Sequence, residues 1–127
     1  MANRVFHNTL PERLADKLDV AARLGIRPMH ASDPDFIKVV VVGTAKWAVT
    51  LTGELMMIPK IVQSEELAHS VLTNGAPVLA AGEVELTGTP GAYFFFDLTN
   101  YSGHYQPDAS SRKIGIQAFA AAGIKQL

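Results

Sequence analysis

The order of local signals along this chain predicts an α+β domain. The expected architecture is an antiparallel β-meander of about five strands, with an N-terminal and a C-terminal helix packed on one face of it. Three observations carry that expectation. Apolar residues recur at helical spacing near the two ends of the chain. Between them lie β-branched or alternating runs broken by short glycine-containing turns. Connections that short make neighbouring strands antiparallel, because a parallel crossover needs a dozen residues or more.

The N-terminal signals define a helix over 10–24. Thr9-Leu10-Pro11-Glu12 reads as a capping box, in which the threonine hydroxyl accepts from a first-turn amide and Glu12 reaches back. Leu10, Leu14, Leu18 and Ala21 or Ala22 follow at helical spacing, and Gly25-Ile26 has the form of a left-handed stop followed by an apolar fold-back. Residues 27–36 hold two prolines and read as a loop.

The sheet region is expected over 37–101. Ile37 to Val42 is β-branched and fits a buried strand or another short element. Trp47–Leu51 and Glu54–Pro59 flank Thr52-Gly53, a hairpin signal. Leu67–Leu72 and Val78–Leu86 flank Thr73-Asn74-Gly75, and Gly88–Gly91 turns the chain into Ala92–Leu98. A last helix is expected over 109–122, with Asp108 or Ser110 as its cap and Gly123-Ile124 ending it as Gly25-Ile26 ended the first.

The composition bounds the function. The 127 residues suit a single domain, 1–127, with a core of its own. Eleven basic residues against twelve acidic ones leave a net charge of −1, so no broad basic surface attracts nucleic acid or membrane. The absence of cysteine removes disulfides, thiolate metal sites and cysteine nucleophiles. MANRVFHNTL lacks the apolar core of a signal peptide, and no run approaches the ~18 apolar residues of a membrane span. A soluble domain is expected, cytoplasmic or exported as part of something larger.

Two histidines sit in polar company within elements. In Leu67-Ala68-His69-Ser70-Val71-Leu72, strand alternation puts His69 and Ser70 on opposite faces. His69 is then either a half-buried ring bonded to a carbonyl or part of a site. His104 lies in Ser102-Gly103-His104-Tyr105-Gln106-Pro107, where a strand end meets an imidazole beside a phenol. Histidine alone moves protons both ways near neutrality without a shifted pKa. A plain corner, with Ser102 and Tyr105 bonding the local backbone, is the alternative. His7 and His30 fall in the N-terminal stretch and a proline loop and read as surface residues.

Glu83 follows Ala80-Ala81-Gly82, small residues that let something bulky approach. Glu83 and Glu85 share a face and can equally be the wet side of a strand. Lys46 opens a strand beside Trp47 and can hold a phosphate or carboxylate, or simply meet solvent. Catalytic candidates are therefore His104, His69, Glu83 and Tyr105, with Lys46, Ser70 and Ser102 as substrate-binding candidates. No P-loop, HExxH, GxSxG, GxGxxG or deaminase pattern is present, and neither a metal nor a cofactor is expected.

Three blocks carry a resemblance. They are Lys46–Lys60 with 66–86, which holds His69-Ser70 and Ala81-Gly82-Glu83, and Ser102-Gly103-His104-Tyr105 with Pro107. From about Lys46 to Ile124 the chain resembles a C-terminal module of bacterial polymorphic toxins of the Rhs kind. A similar HS…AGE…SGHYxP series occurs in plant IQ-motif calmodulin-binding proteins. The IQ segment itself has no counterpart here, so calmodulin is not an expected partner. The resemblance implies a toxin or effector domain with a cognate immunity protein, and supplies no reaction.

Three functions then compete. In a metal-independent ribonuclease, His69 or Glu83 takes the 2′-hydroxyl proton, His104 protonates the leaving oxygen, and Lys46 or Tyr105 steadies the phosphorane. The mildly acidic charge stands against RNA. In an ADP-ribosyltransferase, Glu83 holds the ribose, although it precedes His104 and Tyr105, the reverse of the expected order. In a binding module, the same residues form a pocket for a small molecule or a partner's tail. All three require His69, Glu83 and His104 to meet on one rim of the sheet.

Overall fold

A computed structural model describes residues 5–100, 102 and 109–127 of the chain. Asn8 opens the first helical segment: its side-chain oxygen accepts from the Leu10 amide at 3.0 Å. A 3-10 turn, Pro11–Arg13, follows and leads into α1, Leu14–Arg23. The expected capping box gives way to this arrangement, because Leu10 occupies the cap position and Glu12 falls inside the 3-10 turn. The helix ends as the sequence predicts. Gly25 at φ 71° donates to the Ala22 carbonyl, and the Ile26 amide returns to Ala21 at 2.8 Å.

Ile37–Val42 forms α2, a six-residue helix, and not a strand. Asp33 starts the turn by accepting from the Asp35 amide at 2.9 Å, and Gly43 at φ 97° stops the helix. β-Branched residues are poor helix formers. Here burial outweighs propensity, since Phe36 and Val39 are fully buried. Burying each such side chain is worth about 1.5–3 kcal/mol, against a few tenths for propensity.

The sheet contains β1 (Thr44–Thr50), β2 (Leu55–Pro59), β5 (Val78–Thr89), β6 (Ala92–Phe96) and β7 (Lys125–Gln126), in the order β2-β1-β5-β6-β7. A small separate hairpin joins β3 (Ile61–Val62) to β4 (Glu65–Glu66). The expected β1–β2 and β5–β6 hairpins are present. The simple meander is not. After β2 the chain crosses the sheet through β3, β4 and a 3-10 helix, His69–Thr73, before β5 pairs with the far side of β1. Leu67–Leu72 is thus part of a crossover and not a strand, with Asn74 and Gly75 at positive φ ending it. At the C-terminus, Gly123-Ile124 closes α3 (Ala109–Ala121) and turns the chain into β7, which runs parallel to β6. Because α3 begins at Ala109, Ser110 lies inside its first turn; Asp108, the other expected cap, lies outside the described residues.

The helices do not share a face. α2 and α3 cover one side, over Ala45, Trp47, Val49, Val84, Leu86 and Phe95. Trp47 and Phe95 both meet the Phe119 ring, at 5.9 and 4.9 Å between centroids. The 3-10 crossover and α1 cover the other side, over Ala48, Ile58, Val78 and Ala81. A central strand buried on both faces loses the alternating pattern that marks a half-wet strand. β1 accordingly shows five consecutive buried residues.

Candidate functional site

Strand alternation decides which polar residues meet. Ala45, Trp47 and Val49 of β1 face α3, so Lys46 and Ala48 face the crossover. Val84 and Leu86 of β5 face α3, so Glu83 and Glu85 take the other side with Lys46. The register sets Lys46 opposite Glu83 and Thr44 opposite Glu85. Lys60, just past β2, donates its amide to the Thr44 carbonyl at 2.9 Å and joins the same row.

Five charged groups therefore share one end of this face. The Lys60 ammonium meets the Glu83 carboxylate at 3.0 Å, and Lys46 meets Glu66 of β4 at 3.1 Å. Thr44 donates its hydroxyl to Glu85 at 2.6 Å. The Lys46 side chain is only 6 % exposed, although Glu66 is 59 % exposed. Hydrogen bonding to Glu83 raises the Lys60 pKa above its ordinary value against the opposing cost of burial. The Lys46 hydrogen bond likewise lowers that of Glu66.

His69 is buried, and its Nε2 lies 2.6 Å from the Gly82 carbonyl oxygen. A carbonyl only accepts, so Nε2 carries the proton. The structural reading of this histidine matches that geometry, except that the ring is fully and not half buried and sits on a 3-10 helix. Ser70 is also fully buried, and its hydroxyl has no hydrogen-bond partner among the described residues. The crossover geometry replaces the opposite faces that strand alternation predicts for these two.

The close approach expected at Ala80-Ala81-Gly82 is real, and what approaches is the chain's own backbone. A Cβ at Gly82 would collide with the Thr99 carbonyl and the Asn100 Cα. The Thr99 amide donates to the Glu83 carbonyl at 2.8 Å, and the Glu83 amide donates to the Thr99 hydroxyl at 3.2 Å. The segment that leads to Ser102, which is partly buried, is thus tied to the stretch of β5 that His69 also holds. His104 and Tyr105 lie outside the described residues.

Of the described candidates, Lys46 and Glu83 are cross-strand neighbours, and His69 reaches the residue beside Glu83. Sequence reading missed Lys60 and Glu66. Lys60 follows Ile58-Pro59 at a strand end, and only the registers of β2 on β1 and of β1 on β5 together bring it to Glu83. A groove of about 220 Å³ adjoins this cluster, lined by Val42, Thr44, Lys60 and Ile61. Among the described residues, no group of three or more His, Asp or Glu side chains stands where it could hold a metal ion. No helix among them is long and apolar enough to cross a membrane. No family model, no curated protein and no solved structure matches the chain.

Proposed function

We propose that the chain is a ligand- or protein-binding module of an effector-type protein. The observation that carries this is an apolar patch at the rim of the charged cluster. Val41 and Val42 of α2 and Ile61 of β3 are exposed, and two of them border the groove beside Lys60. Exposed hydrocarbon lining a groove with a polar rim marks interaction surfaces. The inner polar candidates are meanwhile engaged within the fold: His69 with Gly82, Lys46 with Glu66, Lys60 with Glu83. A phosphate backbone would need cations that are not already paired.

A ribonuclease is the second reading, and the Lys60–Glu83 pair favours it. Both side chains keep some exposure, at 28 % and 18 %. Glu83 would take the 2′-hydroxyl proton as the 2′-oxygen bonds to phosphorus. The bond to the 5′-oxygen would break with a proton from His104, while Lys60 steadied the phosphorane. In this scheme His69 holds Gly82 and moves no proton.

Incubation with total RNA and with labelled NAD plus lysate separates the readings. A binding module leaves both untouched, and His104→Ala and Glu83→Gln change nothing in either assay. RNA breakdown by the wild type that disappears in both variants, with melting temperatures unchanged, would overturn the binding reading in favour of the ribonuclease.

A further inference from the structure

We propose that the groove between Val42 and Ile61 receives a basic side chain of a partner protein, presented beside apolar neighbours. This rests on the binding reading above and names the chemistry of the occupant.

Charge complementarity selects a cation. Two lysines stand against three glutamates on this end of the face. Lys46 is taken by Glu66 and Lys60 by Glu83. Glu85 accepts the Thr44 hydroxyl, and among the described residues no cation stands within ion-pair distance of it. Thr44 itself lines the groove, and Glu85 holds its hydroxyl, so that carboxylate stands one hydrogen bond from the lining. An anion would meet Glu83, Glu66 and Glu85 around Lys60, all three of which act on that ammonium.

The sheet adds aromatic surface on the same side. Phe96 of β6 stands directly across from Glu85, and Phe94 across from Thr87. Phe95 faces the α3 core, so alternation turns Phe94 and Phe96 the other way, and neither belongs to either core. Ring faces attract ammonium and guanidinium groups. The apolar rim explains why the occupant is a protein segment and not a free small cation. Val41 is 77 % exposed and Ile61 47 %, so hydrocarbon extends beyond the groove and needs flanking side chains to cover it.

The test uses the isotope-labelled full chain and two synthetic probes, acetyl-Leu-Arg-Leu-amide and acetyl-Leu-Glu-Leu-amide, followed by amide NMR. The arginine peptide is expected to shift Val42, Thr44, Ile61 and Glu85 in a saturable way, and the glutamate peptide is not. Glu85→Gln keeps an acceptor for Thr44, and so the fold, and should weaken the arginine peptide about fivefold, the scale of one partly exposed ion pair. Val42→Ser should also weaken it, through lost hydrocarbon. Absent shifts at millimolar arginine peptide, equal binding of the two peptides, or unchanged binding by Glu85→Gln would each overturn the inference. Those outcomes leave the binding reading standing. Glu83-dependent RNA breakdown would remove that reading without touching the peptide result.

Discussion

At Gly82 a side chain has no room. The Thr99 carbonyl and the Asn100 Cα occupy the place a Cβ would take, and both are backbone atoms that cannot swing aside. Gly82→Ala must therefore part β5 from the segment that leads to Ser102. A destabilisation of about 2–3 kcal/mol is expected in urea unfolding, at the upper end for overpacking. Loss of under about 1 kcal/mol would mean that the Thr99 segment yields easily. His69 sits at the same junction and shows how chemistry and packing compete for one residue. Its polar neighbours suggested a site, and its Nε2 went to a carbonyl in the interior.

At the scale of elements, the two helix ends with Gly-Ile pairs behave alike. Gly123 donates to Ala120 and Ile124 to Phe119, as Gly25 and Ile26 do at α1. Nothing lies within 4 Å of a Cβ built on Gly25, so Gly25→Ala tests backbone conformation alone. Holding alanine at φ 71° should cost about 1–2 kcal/mol, read as a lowered urea midpoint with an unchanged m-value. The β3–β4 hairpin is held differently. Its turn residues Gln63 and Ser64 have positive φ, and ion pairs join its second strand to the body, Arg23 to Glu65 and Lys46 to Glu66. The first of these pairs is exposed on both sides and contributes little.

Across the whole molecule, the charged groups set the pH window of stability. Glu66 and Asp33 have folded pKa values below their ordinary 4.5 and 3.8, through Lys46 and Arg27 respectively. Their contribution is in place above those ordinary values and is lost as pH falls through the lowered ones. Lys60 has a folded value above its ordinary 10.5, so its contribution is full below 10.5 and is lost as pH rises past it. Melting temperature should thus be flat through neutrality and fall at both ends. Lys46→Met should shrink the acid-side loss that belongs to Glu66; an identical acid limb in that variant would show that the pair stores no stability. The variant also removes a nearly buried ammonium, so its neutral melting temperature provides the control.

The sequence by itself determined the local punctuation of this protein. Gly25-Ile26, Thr52-Gly53, the turn around Gly91 and Gly123-Ile124 act through their own backbone and nearest neighbours, so the ends of α1 and α3 and the β1–β2 and β5–β6 hairpins were legible. The α+β class and the shared face of Glu83 and Glu85 followed from the same local periodicities. Tertiary structure decided the rest. Ile37–Val42 became a helix because burial of Phe36 and Val39 outweighs β-propensity. Leu67–Leu72 became a crossover because both sheet faces needed covering, and a run buried on every side carries no period to read. Lys60 met Glu83 only through a register between strands far apart in the chain. Such pairings depend on which surfaces the folded chain must bury together, and no short stretch of residues encodes that sum.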